Sequence, residues 1–299
     1  MKNKISIIIP NWNGKTLLQK HLPTVIERSE GCEVIVVDDA SSDGSVSWVK
    51  QTHPSVIIIE KRKHEGFAST VNIGAKKATC DIVILLNSDI EPTKGWIDPL
   101  LAHFDDLSVF AVGSMDKSHE REKIVLRGRG LASWEKGFYI HKRGEVNEGD
   151  TAWVSGGSGA FRKSMWEALG GMDELFNPFY WEDIDLSYRA KKAGWKTLFE
   201  PKSIVHHYHE IGAIQTSTTK RNIQTTAYRN QFIFIWKNLT SGSIWMNHIL
   251  YLPVRIVQTL SKGDMTMTYG LVLAIMRIPW IIRKRNMNAV ECKMKDEEV

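Results

Sequence analysis

Residues Ile5–Pro10 form a short apolar, β-branched run stopped by a proline, and the polar turn Asn11-Trp12-Asn13-Gly14 follows. Lys15–Arg28 then carries Leu17, Leu18, Leu22, Val25 and Ile26 at helical spacing, and Glu33–Val37 has the continuous apolar character of a buried strand. The alternation continues with a helix over Ser45–Thr52, a strand over Val56–Glu60, a helix from Phe67 to about Ala78 and a strand over Ile82–Leu86. This spacing predicts parallel βαβ units, and so an α/β fold with a doubly wound, mostly parallel sheet. Such sheets bind ligands beyond the carboxyl ends of their strands. No GxGxxG fingerprint follows the first strand, which argues against a dinucleotide site.

After Pro92 the pattern loosens. Residues 113–150 are rich in Lys, Arg, Glu and Gly and read as an irregular or hairpin-bearing insertion. Trp153–Arg162 is glycine-rich and runs into a helix from about Lys163. Trp181–Leu186 opens a helix reaching Ala193, a strand follows near Thr197–Glu200, and His206, His207 and His209 close the region. The expected division is an α/β domain over residues 1–215 and a helical extension over 216–299.

The chain has 299 residues, 42% hydrophobic and 24% charged, which excludes a disordered chain or a disulfide mini-scaffold. Cys32, Cys80 and Cys292 include no CxxC pair, which points to a reducing compartment and no structural zinc. The net charge of +5 is uneven: residues 220–285 hold ten Lys/Arg against the single acid Asp264. In that stretch Ile244–Leu260 and Tyr269–Ile282 are largely apolar, with Arg283-Lys284-Arg285 after the second. Apolar bulk, tryptophan and flanking cations suit helices lying in an anionic membrane interface. A helical subdomain packed on the sheet, with arginines snorkelling outward, is the alternative. The aromatics sit among aliphatics, which disfavours nucleic acid as a partner. No apolar run approaches the roughly 18 residues of a spanning helix, and the start MKNKISIIIP is too short for a signal peptide.

Candidate chemistry collects at the strand ends. Asp38 and Asp39 follow one buried strand directly, so a carboxylate is expected in the crevice above the sheet, while Ser41, Ser42 and Asp43 read as helix caps. Asn87 and Asp89 end another strand and point to one side, with Ser88 on the other. Mg²⁺ or Mn²⁺ takes one or two carboxylates plus phosphate oxygens and water, a need that Asp89 and the Asn87 amide meet in part. Asp183 or Asp185 could cap a helix, with Arg189 paired to an acid.

The ordered motifs Ile7-Ile8-Ile9-Pro10-Asn11-Trp12-Asn13-Gly14, Val36-Val37-Asp38-Asp39-Ala40-Ser41-Ser42-Asp43-Gly44, Gly66-Phe67-Ala68 with Asn72-Ile73-Gly74-Ala75, Leu85-Leu86-Asn87-Ser88-Asp89, Ser155-Gly156-Gly157-Ser158-Gly159-Ala160 and Trp181-Glu182-Asp183-Ile184-Asp185-Leu186-Ser187-Tyr188-Arg189, with the late histidines, span residues 5 to about 210. Together they resemble family 2 of the inverting glycosyltransferases, rhamnosyltransferase-like members included, with their A-type nucleotide-sugar-binding fold. The resemblance implies hexosyl or deoxyhexosyl transfer from a nucleotide-sugar donor to a glycan or lipid-linked acceptor, in cell-surface polysaccharide or glycolipid synthesis at the cytoplasmic face of a membrane. On the donor side it implies Pro10, Asn13, Gly66, Asn72 and Ser88, with Asp39 bonding the base. Asp89 falls where the last acid of an Asp-X-Asp motif binds a Mn²⁺ or Mg²⁺ ion bridging the diphosphate; Asn87 replaces the first acid. His207 is similar to a histidine completing that metal site, with His206 and His209 as rivals. Asp183 takes the place of the catalytic base, and Gly157, Trp181 and Glu182 fall on the acceptor side, the indole serving as a sugar platform. A non-catalytic nucleotide-sugar-binding subunit and a nucleotidyltransferase are the competing functions.

Overall fold

The computed structural model describes residues 5–120, 123–208, 218–286 and 290–299. Strands β1 (Ile5–Asn11), β2 (Glu33–Asp38), β3 (Ile57–Glu60) and β4 (Ile82–Leu86) lie parallel in the order β3-β2-β1-β4, joined by helices α1 (Lys15–Arg28), α2 (Ser45–Thr52) and α3 (Phe67–Lys77). Ile7 and Ile9 of β1 join one core with Leu18, Leu22 and Val25 of α1. Ile8 faces a second core with Val71 and Ala75 of α3. Burial on both faces explains why these strands are apolar at nearly every position.

The other half of the sheet is mixed. After β5 (Ile90–Pro92) and α4 (Ile97–Ala102) come β6 (Val109–Glu120), β7 (Lys123–Arg127), the separate hairpin of β8 (Gly130–Glu135) and β9 (Phe138–Arg143), and β10 (Gly149–Asp150). β11 (Ser158–Arg162) inserts antiparallel between β4 and β6, and α5 (Lys163–Ala168) follows it. α6 (Glu182–Lys192) leads into β12 (Lys196–Tyr208), which runs parallel to β6 and antiparallel to β5. Two expectations are corrected: the glycine-rich stretch contains a central strand, and the strand expected near 197–200 continues to Tyr208 through a register shift between Glu200 and Ile204.

Four helices complete the chain: α7 (Lys220–Asn238), α8 (Gly242–Leu260), α9 (Thr266–Ile275) and α10 (Ile278–Asn286). A third core draws on both sides of residue 215, uniting Phe138 and Tyr139 of the hairpin, Trp181, Tyr188 of α6 and Phe232–Ile235 of α7. α7 is buried around its whole circumference from Arg229 to Ile235. Its Lys237 ammonium lies 2.8 Å from Asp173 and 2.7 Å from Asp185, both buried; Arg189 Nε, at 2.8 Å, and Asn238 Nδ2, at 2.7 Å, complete the shell of Asp185. Burial works against the charge of Asp173, but Lys237 holds its carboxyl down at about 2. Near the C-terminus, Asp296 accepts from Lys192 at 2.8 Å, Tyr188 at 2.5 Å and the Thr240 and Ser241 amides at 2.7 and 2.6 Å.

Replacing Lys237 by Met takes the shared cation from two buried carboxylates, leaving Asp185 with Arg189 and Asp173 with Lys284 at 3.4 Å. Breaking a buried pair in this way costs about 3–5 kcal/mol. Urea unfolding of Lys237→Met should show that loss in a single transition shared by sheet and C-terminal helices; a midpoint equal to the wild type would refute this account of the interface.

Candidate active site

The loops after β1 and β2 are sewn together by short polar side chains. Asn11 donates its amide to Asp38 at 2.8 Å, and Asp38 accepts the Ser41 N–H at 2.8 Å. Pro10 pairs with Val37 in the ladder just before this corner. Asn13, with φ of 49°, accepts the Ser42 N–H at 2.8 Å while its own N–H donates to Ser41 Oγ. Asp43 accepts the N–H of Ser45 at the start of α2, where a cap is expected, and also that of Lys15 at the start of α1, whereas Ser41 and Ser42 bond Asn13 instead.

Asp39 is buried and held from four directions. Lys61 Nζ stands 2.6 Å and His64 Nδ1 2.8 Å from its carboxylate, and the amides of Glu65 and Gly66 donate at 3.0 and 2.8 Å. Gly66 adopts φ of 91° with Asn177 and Pro178 against its α-carbon, so a side chain there would be both strained and crowded. His64 stacks on Trp12 with ring centroids 4.1 Å apart, giving a flat face beside Asp39. Asn72 differs from its expected place facing a donor: its amide bonds both the carbonyl and the N–H of Met172, at 2.8 and 2.9 Å, tying α3 to the segment before α6.

At the end of β4, Ser88 faces the loop after β1 beside Gly14, and the Asn87 N–H donates to the Gly157 carbonyl at 2.9 Å. Asp89 Oδ2 lies 3.3 Å from Nε2 of His207 on β12, and the other ring nitrogen, Nδ1, lies 3.0 Å from Asp116 on β6. Burial works against the imidazolium, yet the Asp116 and Asp89 carboxylates keep its pKa up at about 9. His206, the neighbouring position on the strand, turns the other way and pairs with His119 at 2.8 Å; His209 lies outside the described residues. A carboxylate and an imidazole, with an outer carboxylate orienting the ring, are a donor set that fits a divalent cation. A separate group, His103, Glu148 and Glu200, also clusters its ligand atoms, but Glu200 stands seven positions before His207 on β12.

α6 begins without a side-chain cap, after two successive left-handed residues, Tyr180 (φ 71°) and Trp181 (φ 78°). Non-glycine residues in this conformation cost about 1–3 kcal/mol each and persist where surroundings enforce them. The turn drives the Trp181 indole into the third core, against Phe234 and His141 with centroids 5.2 Å away and only 5% exposure. The expected sugar platform is therefore a packing residue. Asp183 remains partly exposed. One of its oxygens accepts the Ile184 N–H at 2.8 Å and the other makes a long contact of 3.4 Å with the Gly156 N–H. Burial raises its proton affinity above that of an ordinary aspartate. Glu182 is more deeply buried, its Oε2 has no partner among the described residues, and burial followed by the charge of Asp183 pushes its pKa well up. Asp185 is not a cap but the buried partner of Arg189 and Lys237.

Contacts join these three corners. Gly66 precedes Phe67, whose ring lies against Gly156; Gly156 touches Asp183, and Gly157 holds Asn87 two residues before Asp89. The family model described as "Glycosyl transferase family 2" matches residues 6–169, more than half of the chain. The chain belongs to glycosyl transferase family 2. It is 30% identical over 211 residues to the pre-mycofactocin glycosyltransferase of Mycobacterium tuberculosis, covering 69% of this chain but 43% of that relative. It is 28% identical over 243 residues to the N-acetylglucosaminyl-diphospho-decaprenol L-rhamnosyltransferase of the same organism, covering 71% of this chain and 79% of the relative. The chain thus spans less than half the length of the first of these. The crystal structure of GalNAc-T7 with UDP, GalNAc and Mn²⁺ shares the fold, with a TM-score of 0.66 at 20% identity, over 94% of this chain and 56% of that one. The family match ends before Glu182 and Asp183.

Sequence reasoning missed Lys61, His64 and Asp116. Asp116 sits in the charged segment taken for an insertion, and only its place beside β12 brings it to His207. The Glu182 carboxyl carries a test of its burial. Its pKa is raised in the fold, so the stability linked to its proton is complete below the ordinary glutamate value of about 4.3 and is lost as pH rises toward the folded value. Glu182→Gln removes that loss. Its melting temperature should match the wild type near pH 4 and exceed it at pH 8; an advantage independent of pH would disprove the assignment.

Proposed function

We propose that this family 2 member is an inverting glycosyltransferase that moves a sugar from a nucleotide diphosphate donor to a hydroxyl acceptor, with Asp183 as general base. The observation that supports the reading is a run of contacts from Asp183 to Gly156, and from Gly157 to Asn87, two residues before Asp89, which pairs with His207. Displacing a nucleoside diphosphate from an anomeric carbon needs charge neutralised on one side and a proton removed on the other. Asp89 and His207 would hold a divalent cation, which when bound neutralises the leaving diphosphate. Asp183 takes the acceptor proton, and the amides of Ile184 and Gly156 keep its carboxylate aimed. A single carboxylate opposite the leaving group leads to inversion, as in the two-geometry logic of glycoside hydrolysis.

Asn87 in place of an acid favours one rival, a nucleotide-sugar-binding subunit without turnover. Release of nucleoside diphosphate from UDP-, GDP- and dTDP-sugars, with and without Mn²⁺, decides between them. Turnover should fall about 10²–10⁴-fold in Asp183→Asn while nucleotide binding persists. Equal release by variant and wild type would remove Asp183 from the mechanism, and binding without release in the wild type would establish the rival.

The acceptor we infer is lipid-linked, presented at an anionic membrane surface during cell-envelope glycan or glycolipid synthesis. Fifteen of the twenty exposed large apolar side chains among the described residues fall between Met246 and Ile282, Val257, Met276 and Trp280 among them. Arg277, in the turn between α9 and α10, and Arg283 on α10 lie exposed, and no described helix is long and apolar enough to cross a membrane. Exposed apolar patches of this kind mark interaction sites. Each cation near anionic lipid contributes about 1 kcal/mol, so Arg277→Gln with Arg283→Gln should weaken binding to phosphatidylserine vesicles roughly 30-fold at low salt. Flotation with vesicles measures it; no wild-type binding to anionic vesicles would exclude the membrane.

A further inference from the structure

We propose that Arg229 and Asn230, on the C-terminal helix α7, are positioning residues for the reaction: they clamp the loop that aims Asp183. The inference rests on the reading of Asp183 as the base. The Asn230 amide is wholly buried, and its Nδ2 donates to three carbonyls of that loop, those of Phe176 at 2.8 Å, Phe179 at 3.0 Å and Tyr180 at 2.8 Å. Arg229 Nη2 donates to the carbonyls of Asn177 at 2.6 Å and Phe176 at 3.3 Å, and its Nε donates to Asn230 Oδ1 at 2.8 Å, fixing which way the amide points.

This grip falls where local structure supplies none. Tyr180 and Trp181 hold consecutive left-handed conformations, and no side chain caps the start of α6. Asp183 follows two residues later, in the first turn. A strained junction of this kind relaxes unless its surroundings over-determine it. One helix supplies both restraints: Arg229 and Asn230 grip the loop before the junction, and Lys237 and Asn238 grip Asp185 just after it. On the far side of α7 the backbone of α9 presses close at Gly270, where a β-carbon would come within 2.7 Å of Tyr228 Cβ and 2.9 Å of the Arg229 nitrogen. The clamp is thus braced by the helices that carry the exposed apolar face.

Asn230→Asp tests the clamp, since it keeps the shape, removes both N–H donors, and leaves Arg229 to balance the new charge. Arg229→Lys is the second variant, keeping the cation without the fork. Both are measured as full-length proteins, by nucleoside diphosphate release from UDP-GlcNAc and GDP-mannose with Mn²⁺. Turnover should drop about 10–100-fold in Asn230→Asp, with donor KM unchanged within twofold. The acid limb of the turnover–pH profile should move to lower pH, because a loosened loop admits water to Asp183. Amide hydrogen exchange should quicken over residues 176–185 and stay unchanged over 5–92. Faster exchange there with unaltered turnover and acid limb would reduce the clamp to a fold contact and overturn the proposal. A turnover loss that merely tracks the fraction of nucleotide-binding sites would do the same. Should the wild type release no nucleotide, the proposed function fails separately, and the exchange pattern alone still decides whether Asn230 holds the loop.

Discussion

Lys237 stands between two buried carboxylates, and that contact ties the C-terminal helices to the segments that carry the candidate site. Lys237 is what most lowers the proton affinity of Asp173 against the burial that raises it, because removing a charge from water costs several kcal/mol unless an opposite charge and further hydrogen bonds replace the hydration. Arg189 and Asn238 supply the rest for Asp185. Asp173 starts the turn before Phe176, Asp185 lies on α6 and Lys237 on α7, so one ammonium locks three segments at fixed separation. Asp183 is carried on the same helix, in the same first turn as the anchoring Asp185.

The parallel half of the sheet was legible because its signals are local. β1, β2 and β4 are buried on both faces and therefore uninterrupted in their apolar character, and each intervening helix shows its own periodicity. β11 gave no such signal. Its Gly159 has the Val154 and Phe161 side chains where a β-carbon would go, so the strand must be small where strands are usually branched. β12 was cut short in the reading because Pro201 and Lys202 fall at its irregularity, where a proline is tolerated.

For the site, types of residue were readable and orientations were not. Three histidines in four positions could not be ranked from text alone; alternation along β12 sends His207 toward Asp89 and Asp116, and His206 toward His119. Trp181 was misjudged because its left-handed backbone turns the indole inward, a reversal no side-chain pattern announces. Lys61 and His64 meet Asp39 only because the loop between β3 and α3 folds back over the end of β2.

Two adjacent carboxyls at the start of α6 raise the question of which carries the charge. Asp183 accepts from two backbone amides, which favour its ionised form, whereas Glu182 is buried more deeply with one oxygen lacking any described partner. Both are raised by burial, and the charge of Asp183 raises Glu182 further. The proton therefore settles on Glu182 and the charge on Asp183, the division of roles that environments impose on paired acids. A neutral Glu182 lays no second negative charge beside Asp183, so Asp183 ionises at lower pH than it would against a glutamate anion. The deep burial of the glutamate thus leaves the negative charge on the neighbouring aspartate, as the role proposed for Asp183 requires.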